Sequence, residues 1–203
     1  MKINIAVKTN GQRKSLGFTL IEMIGVLAVI AILAALLVPK VTSAISDAKV
    51  NNAISTYQAI QTAATGHYSK YSAFNITNNV AIPTASFPQL NYDTAALIPE
   101  GFLDQPISLK IGTSSSLNLV IGGGNGGTGY KLDGANVATA NNGYTLELVI
   151  QGVTQQDAYD LASRLSGTGI AGTGVTNTIV GGRVTYSSGA NPTGPVYMYV
   201  AGR

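Results

Sequence analysis

The sequence predicts an α+β protein: a long N-terminal helix, membrane-spanning in its first half and amphipathic in its second, packed on an antiparallel β-sheet with one further short helix. Three observations predict it. An apolar run over residues 18–38 leads past Pro39 into a segment with no further Pro or Gly before Gly66, in which Ala44, Ala48, Ala53, Ile54, Tyr57, Ile60, Ala64, Tyr68 and Tyr71 recur mostly three or four apart. Beyond residue 106 the pattern changes to short apolar or alternating runs at 107–111, 117–121, 144–150, 178–186 and 196–200, the signature of strands. Between the third and fourth runs, Ala158, Leu161, Ala162 and Leu165 form a helical stripe.

The apolar run from Phe18 through Val38 contains about 21 residues, roughly 30 Å as a helix, the thickness of a bilayer's hydrocarbon core. Lys2, Lys8, Arg13 and Lys14 precede it and a single Lys40 follows, so the positive-inside rule predicts a cytoplasmic N-terminus and an exported C-terminal domain. The formal charge of +3 belongs to that leader: without residues 1–17, eight basic residues face nine acidic ones. The remaining cations are scattered singly and without interleaved aromatics, so direct nucleic-acid binding is not expected. Charged residues make up only 10% of the chain while Gly numbers 24, which gives a surface rich in hydroxyls and amides. Such a surface can lie beside copies of itself without strong charge repulsion. With no Cys, disulfides and thiol chemistry are excluded.

Glu22 breaks the apolar run near its start, where a carboxylate is costly and usually functional. A cut between Gly17 and Phe18 would create an ammonium group four residues ahead of it. That amine on one subunit can pair with the carboxylate of a neighbour; alternatively Glu22 stays solvated among headgroups or takes up a proton. Gly25 and Pro39 interrupt good helix formers, and Pro39 predicts a kink or a locally melted stretch before it. A simple membrane-helix kink is the other reading of that proline.

The stretch Gly17-Phe18-Thr19-Leu20-Ile21-Glu22, followed by a long apolar helix with Pro39, resembles the class III signal sequence of type IV pilins and type II secretion pseudopilins. The resemblance implies a basic leader ending at Gly17, cleavage by a membrane prepilin peptidase, N-methylation of Phe18 by the same enzyme, and Glu22 as the assembly carboxylate. Gly25 and Pro39 fall in the helix that packs in the family's filaments. An ordinary signal peptide has a shorter apolar core with a small-residue cleavage site after it, and here the run continues past Ala31 to Ala35. An uncleaved anchor explains the length but gives no reason for Gly-Phe-Thr-Leu-Ile-Glu.

Residues 72–106, with Pro83, Pro88, Pro99 and Pro106, read as an irregular connection with at most short helical pieces. The Gly-rich segment 122–129 formally matches G-x-G-x-x-G at Gly124, Gly126 and Gly129, but no helix pattern follows and a hairpin connection is expected. Thr154-Gln155-Gln156-Asp157 opens the second helix as a capping box and Gly167 closes it. The strand, the Gly152-Val153-Thr154 link and this helix resemble the C-terminal half of type IVb pilins, which normally carry a Cys pair that is missing here.

No catalytic constellation, cofactor site or metal site is expected. His67 is the only histidine and lacks the neighbours a metal needs. Asp157 and Asp160, three apart, have no pocket to divide acid and base roles between them. The expected organisation is a cleaved leader over 1–17, a transmembrane and assembly helix over 18–39, its amphipathic continuation over 40–71, and an exported α+β domain over 72–203. The expected function is that of a prepilin, the structural subunit of a type IV pilus that polymerises as a helical homo-oligomer for adhesion, motility or DNA uptake. Its partners would be related minor pilins, the prepilin peptidase and N-methyltransferase, and an inner-membrane assembly platform. A pseudopilin of a type II secretion system is the alternative, and a non-polymerising anchored domain a further one. The precursor would sit in the inner membrane and the mature subunit in a surface pilus or periplasmic filament.

Overall fold

A computed structural model describes residues 17–83, 91–124, 129–132, 143–167, 181–186 and 193–202. The chain divides into two compact units, residues 1–44 and 45–203. Helix α1, Leu20–Tyr71, supplies the described helical part of the first unit and the start of the second.

Within the second unit, Val50, Ala53, Tyr57, Ile60, Ala64 and His67 lie on one face of α1 and are buried. Their alternating spacing of three and four keeps that face on the sheet for five turns. The expected stripe erred at its start, because Ala44 and Ala48 are exposed while Val50 is buried. The buried seam, extended back from Val50, reaches Ser46 instead, half-buried and hydrogen-bonded to Asp157. Two side chains on α1 also reach the sheet's backbone: the Tyr57 hydroxyl donates to the Tyr199 carbonyl and the Gln61 amide to that of Val200 at 3.3 Å. The helix is thereby tied to the strand backbone beneath it. Ser72, at φ 54°, ends α1.

Strands β1, Ile76–Thr77, and β2, Val80–Ala81, form a small antiparallel hairpin. Its two loop residues, Asn78 and Asn79, both have positive φ, as a type I′ turn requires, and Asn tolerates this better than most residues. A single π-helical turn follows at Asp93–Leu97, in keeping with an irregular connection that holds only short pieces.

The main sheet joins β3, Ser114–Ile121, β4, Tyr144–Thr154, β5, Val184–Tyr186, and β6, Thr193–Gly202, in the order β3-β4-β6-β5, every pair antiparallel. The strand expected over 107–111 is not one. The Ile107 N–H donates to the Asp93 carboxylate at 2.9 Å, and Gly112, at φ 75°, turns the chain into β3 only at Ser114. Of the run at 178–186, the described strand is β5 alone, with residues 178–180 outside the described part. Strand β4 continues past Ile150 to Thr154 because a bulge, with Gly152 at φ 67°, absorbs the irregularity.

In β4, Leu146, Leu148 and Ile150 join the core, and the alternate residues Thr145 and Glu147 are buried as well. The Gly-rich connection between β3 and β4 accounts for this. Thr145 donates to the Gly122 carbonyl at 2.7 Å, the Tyr130 hydroxyl donates to Glu147 at 2.9 Å, and a Cβ on Gly124 would stand 2.8 Å from the Glu147 carboxylate. The described parts of that connection, residues 122–124 and 129–132, thus lie against the second face of the sheet; Gly126 falls outside the described residues.

Helix α2, Gln155–Ser166, begins where β4 ends, with the Thr154 hydroxyl accepting from the Asp157 N–H at 3.2 Å. Only this half of the expected capping box forms. The Asp157 carboxylate accepts instead from Ser46, while Arg164 reaches Asp47 at 2.6 Å and Asn51 at 2.5 Å. Without any Cys, these polar contacts fasten α2 to the start of the domain's share of α1.

Glu100 gathers the far end of that helix. Its carboxylate accepts from Lys70 and Tyr71 on α1, both at 2.5 Å, and from Thr77 Oγ1 and the Asn78 N–H at the hairpin. The Lys70 ammonium foremost, then the Tyr71 hydroxyl, hold its pKa down at about 2, against 4.5 ordinarily. A depressed carboxylate contributes stability that is complete above pH 4.5 and is lost as pH falls toward 2. Glu100→Gln is expected to lower the thermal midpoint at neutral pH and to flatten its decline across that window, read by circular dichroism melts in detergent. A midpoint unchanged from wild type would show that the four donors rearrange without it.

Candidate functional site: the N-terminal assembly segment

Gly17, Phe18 and Thr19 precede α1 and carry no secondary structure. A peptidase acting on the Gly17–Phe18 bond needs backbone that is not tied into a helix, and here it has it. Phe18 is 75% exposed, and among the described residues nothing lies within 4 Å of a Cβ built on Gly17.

From Leu20 onward the apolar side chains of this unit are exposed, among them Ile21, Leu27, Ile30, Leu33 and Leu37. The helix is long and apolar enough to cross a membrane. Exposure of this kind over so many residues is unfavourable in water and requires cover, from lipid or from other helices.

Thr19 is the N-cap of α1 and Glu22 its third residue. The Glu22 carboxylate accepts from the Thr19 N–H at 2.8 Å and from the Thr19 hydroxyl at 2.7 Å, while the Glu22 N–H donates to that hydroxyl at 3.3 Å. This is a capping box in both directions, and it satisfies backbone donors that a membrane would leave bare. Sequence reasoning missed Thr19 as the partner of Glu22, although Thr19-Leu20-Ile21-Glu22 has the Thr-x-x-acid spacing that was legible at Thr154-Gln155-Gln156-Asp157. The Phe18 amine that a cut would create lies one residue before this box.

A Cβ on Gly25 would meet nothing within 4 Å among the described residues, so its small size serves no contact there. Pro39 lies within α1 and residues on both sides of it are helical, so of the two expectations, a kink or a locally melted stretch, the melted stretch is not what forms. One missing N–H removes a single hydrogen bond, from the Ala35 carbonyl, and the strong helix formers Ala34, Ala35, Leu36 and Leu37 before it help carry the helix across the gap. Just beyond, the Thr42 and Ser43 hydroxyls turn back to the Val38 and Pro39 carbonyls, at 3.0 and 3.1 Å. The structure thus brings Glu22 and Thr19 together at the head of the helix and leaves Gly25 and Pro39 as separate features along it.

The family model described as the prokaryotic N-terminal methylation motif matches residues 12–38. The chain carries an N-terminal methylation motif. That motif spans the end of the basic leader, the Gly17–Phe18 bond, Glu22 and the apolar helix as far as Val38. No curated protein matches the chain. Among solved structures, the major type IV pilin PilA1 from Clostridium difficile is similar at 18% identity over 78% of this chain and 98% of its own, with a TM-score of 0.40. Among the described residues, no group of three or more His, Asp or Glu side chains is placed to hold a metal ion.

Proposed function

We propose that the chain is the precursor of a type IV pilin, cut between Gly17 and Phe18, N-methylated at Phe18, and assembled through α1 into a helical filament at the cell surface. The observation that carries this reading is the methylation motif, placed on an accessible Gly17–Phe18 bond ahead of an exposed apolar helix. Before assembly, residues 18–39 lie in the inner membrane and the domain beyond them is exported, as the basic leader directs. On assembly, the apolar face exchanges lipid for neighbouring helices. Glu22 then meets the Phe18 amine of another subunit, and Gly25, with nothing against it among the described residues, lets helices approach closely. The processing enzyme is a prepilin peptidase with methyltransferase activity, and the assembly platform lies in the same membrane.

The reading is tested by shearing cells and examining the released fraction by electron microscopy and peptide mapping. Filaments that contain residues 18–203 are the expected result. The chain confined to the envelope, with none in sheared material, would contradict a surface pilus and favour the pseudopilin role.

A further inference from the structure

His67, the only histidine, is fully buried at the distal end of α1. Three rings enclose it: Tyr71 at 5.0 Å, Tyr92 at 5.6 Å and Phe102 at 5.8 Å between centroids. Phe102 presses so closely that a Cβ on the preceding Gly66 would stand 3.0 Å from it. The Tyr92 hydroxyl spends its proton on the Phe74 carbonyl at 2.8 Å, so its oxygen accepts from His67 Nδ1 at 3.1 Å. That arrangement fixes the neutral Nδ1–H tautomer. Nε2 is left with a lone pair and makes no hydrogen bond of ordinary geometry among the described residues, although the Ile76 backbone stands near enough to the ring to favour its charged form.

We propose that His67 is a proton-operated latch, whose second proton, taken up at Nε2, releases the β1–β2 hairpin and the turn around Glu100 and Phe102 from the end of α1 while the main sheet stays folded. The parts enclosing the ring stand outside the four-stranded sheet: the hairpin forms a two-stranded sheet of its own, and the turn around Glu100 and Phe102 holds no strand. Phe102 and Glu100 belong to one turn, Phe74 leads into the hairpin, and Glu100 ties both to Lys70 and Tyr71. A charged ring in this apolar enclosure is costly, and opening the enclosure hydrates it. The titratable groups facing it are Lys70 and Tyr71 from α1, Tyr92 from the segment before the π-helical turn, and Glu100 from the segment after it; β1 presents only the backbone of Ile76. Burial pushes the His67 pKa below its usual 6.5, Lys70 adds to the fall, and Glu100 and the Ile76 backbone offset part of it. With the folded pKa depressed, the closed form is favoured above pH 6.5 and weakens as pH falls through the folded value.

The test is hydrogen exchange with mass spectrometry on the full chain in detergent from pH 7.5 to 5, each rate corrected for intrinsic pH dependence, with the imidazole titration followed by NMR. Exchange in residues 72–82 and 98–103 is expected to rise by up to about tenfold per pH unit below 6.5. Peptides from β4 and β6 should hold their rates, and the ring should titrate below 6.5. In His67→Phe, which keeps an aromatic ring but cannot take a proton, the rise should vanish. If that variant does not fold, the wild-type titration and exchange decide alone. A ring that titrates at or above 6.5, hairpin exchange with no pH dependence, or β4 opening in step with the hairpin would each overturn the latch.

Discussion

Glu22→Gln is expected to abolish filaments while the subunit remains in the membrane with its domain folded. The substitution separates the two roles that Glu22 can play. As part of a capping box it needs only an acceptor for the Thr19 N–H and hydroxyl, which a glutamine at the third helical position provides. As the counter-charge to a neighbour's Phe18 amine it needs its negative charge. Removing one member of an ion pair in a dry setting costs about 3 kcal/mol or more, at least a hundredfold per subunit contact. Glu22→Leu should fail equally, whereas Thr19→Ala should lose only about 1 kcal/mol at the helix start and still assemble. The measurement is the amount of chain in the sheared fraction relative to the membrane. Wild-type levels of filament from Glu22→Gln would reduce Glu22 to a helix cap and remove the ion pair from the account.

Leu148→Ala should have the largest effect on the unit that holds the sheet. Leu148 is fully buried at the middle of β4, opposite Leu117 on β3 and Met198 on β6, so it touches both neighbours on the core face. Truncating such a leucine typically costs about 2–5 kcal/mol, the transfer term plus the cavity that a rigid surround cannot close. With strands on both sides, the site has little room to collapse and the upper half of that range is expected. Urea or thermal melts of the full chain in detergent read it directly. A loss below about 1 kcal/mol would mean that the sheet is far less tightly packed than the buried positions of β4 require.

Much of this architecture was legible because its signals are local. The helix from Leu20 to Tyr71 is written in an apolar run followed by three-and-four spacing, and α2 in a threonine cap, a stripe and a closing glycine. What the sequence concealed depends on contacts distant along the chain. Ile107 to Ile111 has the alternation of a strand, but Asp93 takes the Ile107 N–H and Gly112 turns the backbone. Glu147 sits where alternation puts a solvent-facing residue, yet Tyr130 and Gly124, brought back by the connection before β4, bury it. Likewise Glu100 looks like an ordinary surface acid until α1 and the hairpin converge on it. At the N-terminal site the residues were all visible in the sequence, and the missing link between Thr19 and Glu22 was a familiar pattern passed over because the apolar run around it drew the eye to the membrane.

Processing at Gly17–Phe18, with the shortened chain as the working form, is read by intact mass and N-terminal peptide mass spectrometry on the sheared and membrane fractions. The expected result is a chain in the sheared fraction that begins at Phe18 and carries one methyl group on its amine. A chain that still begins at Met1, or one cut beyond Val38, would contradict it.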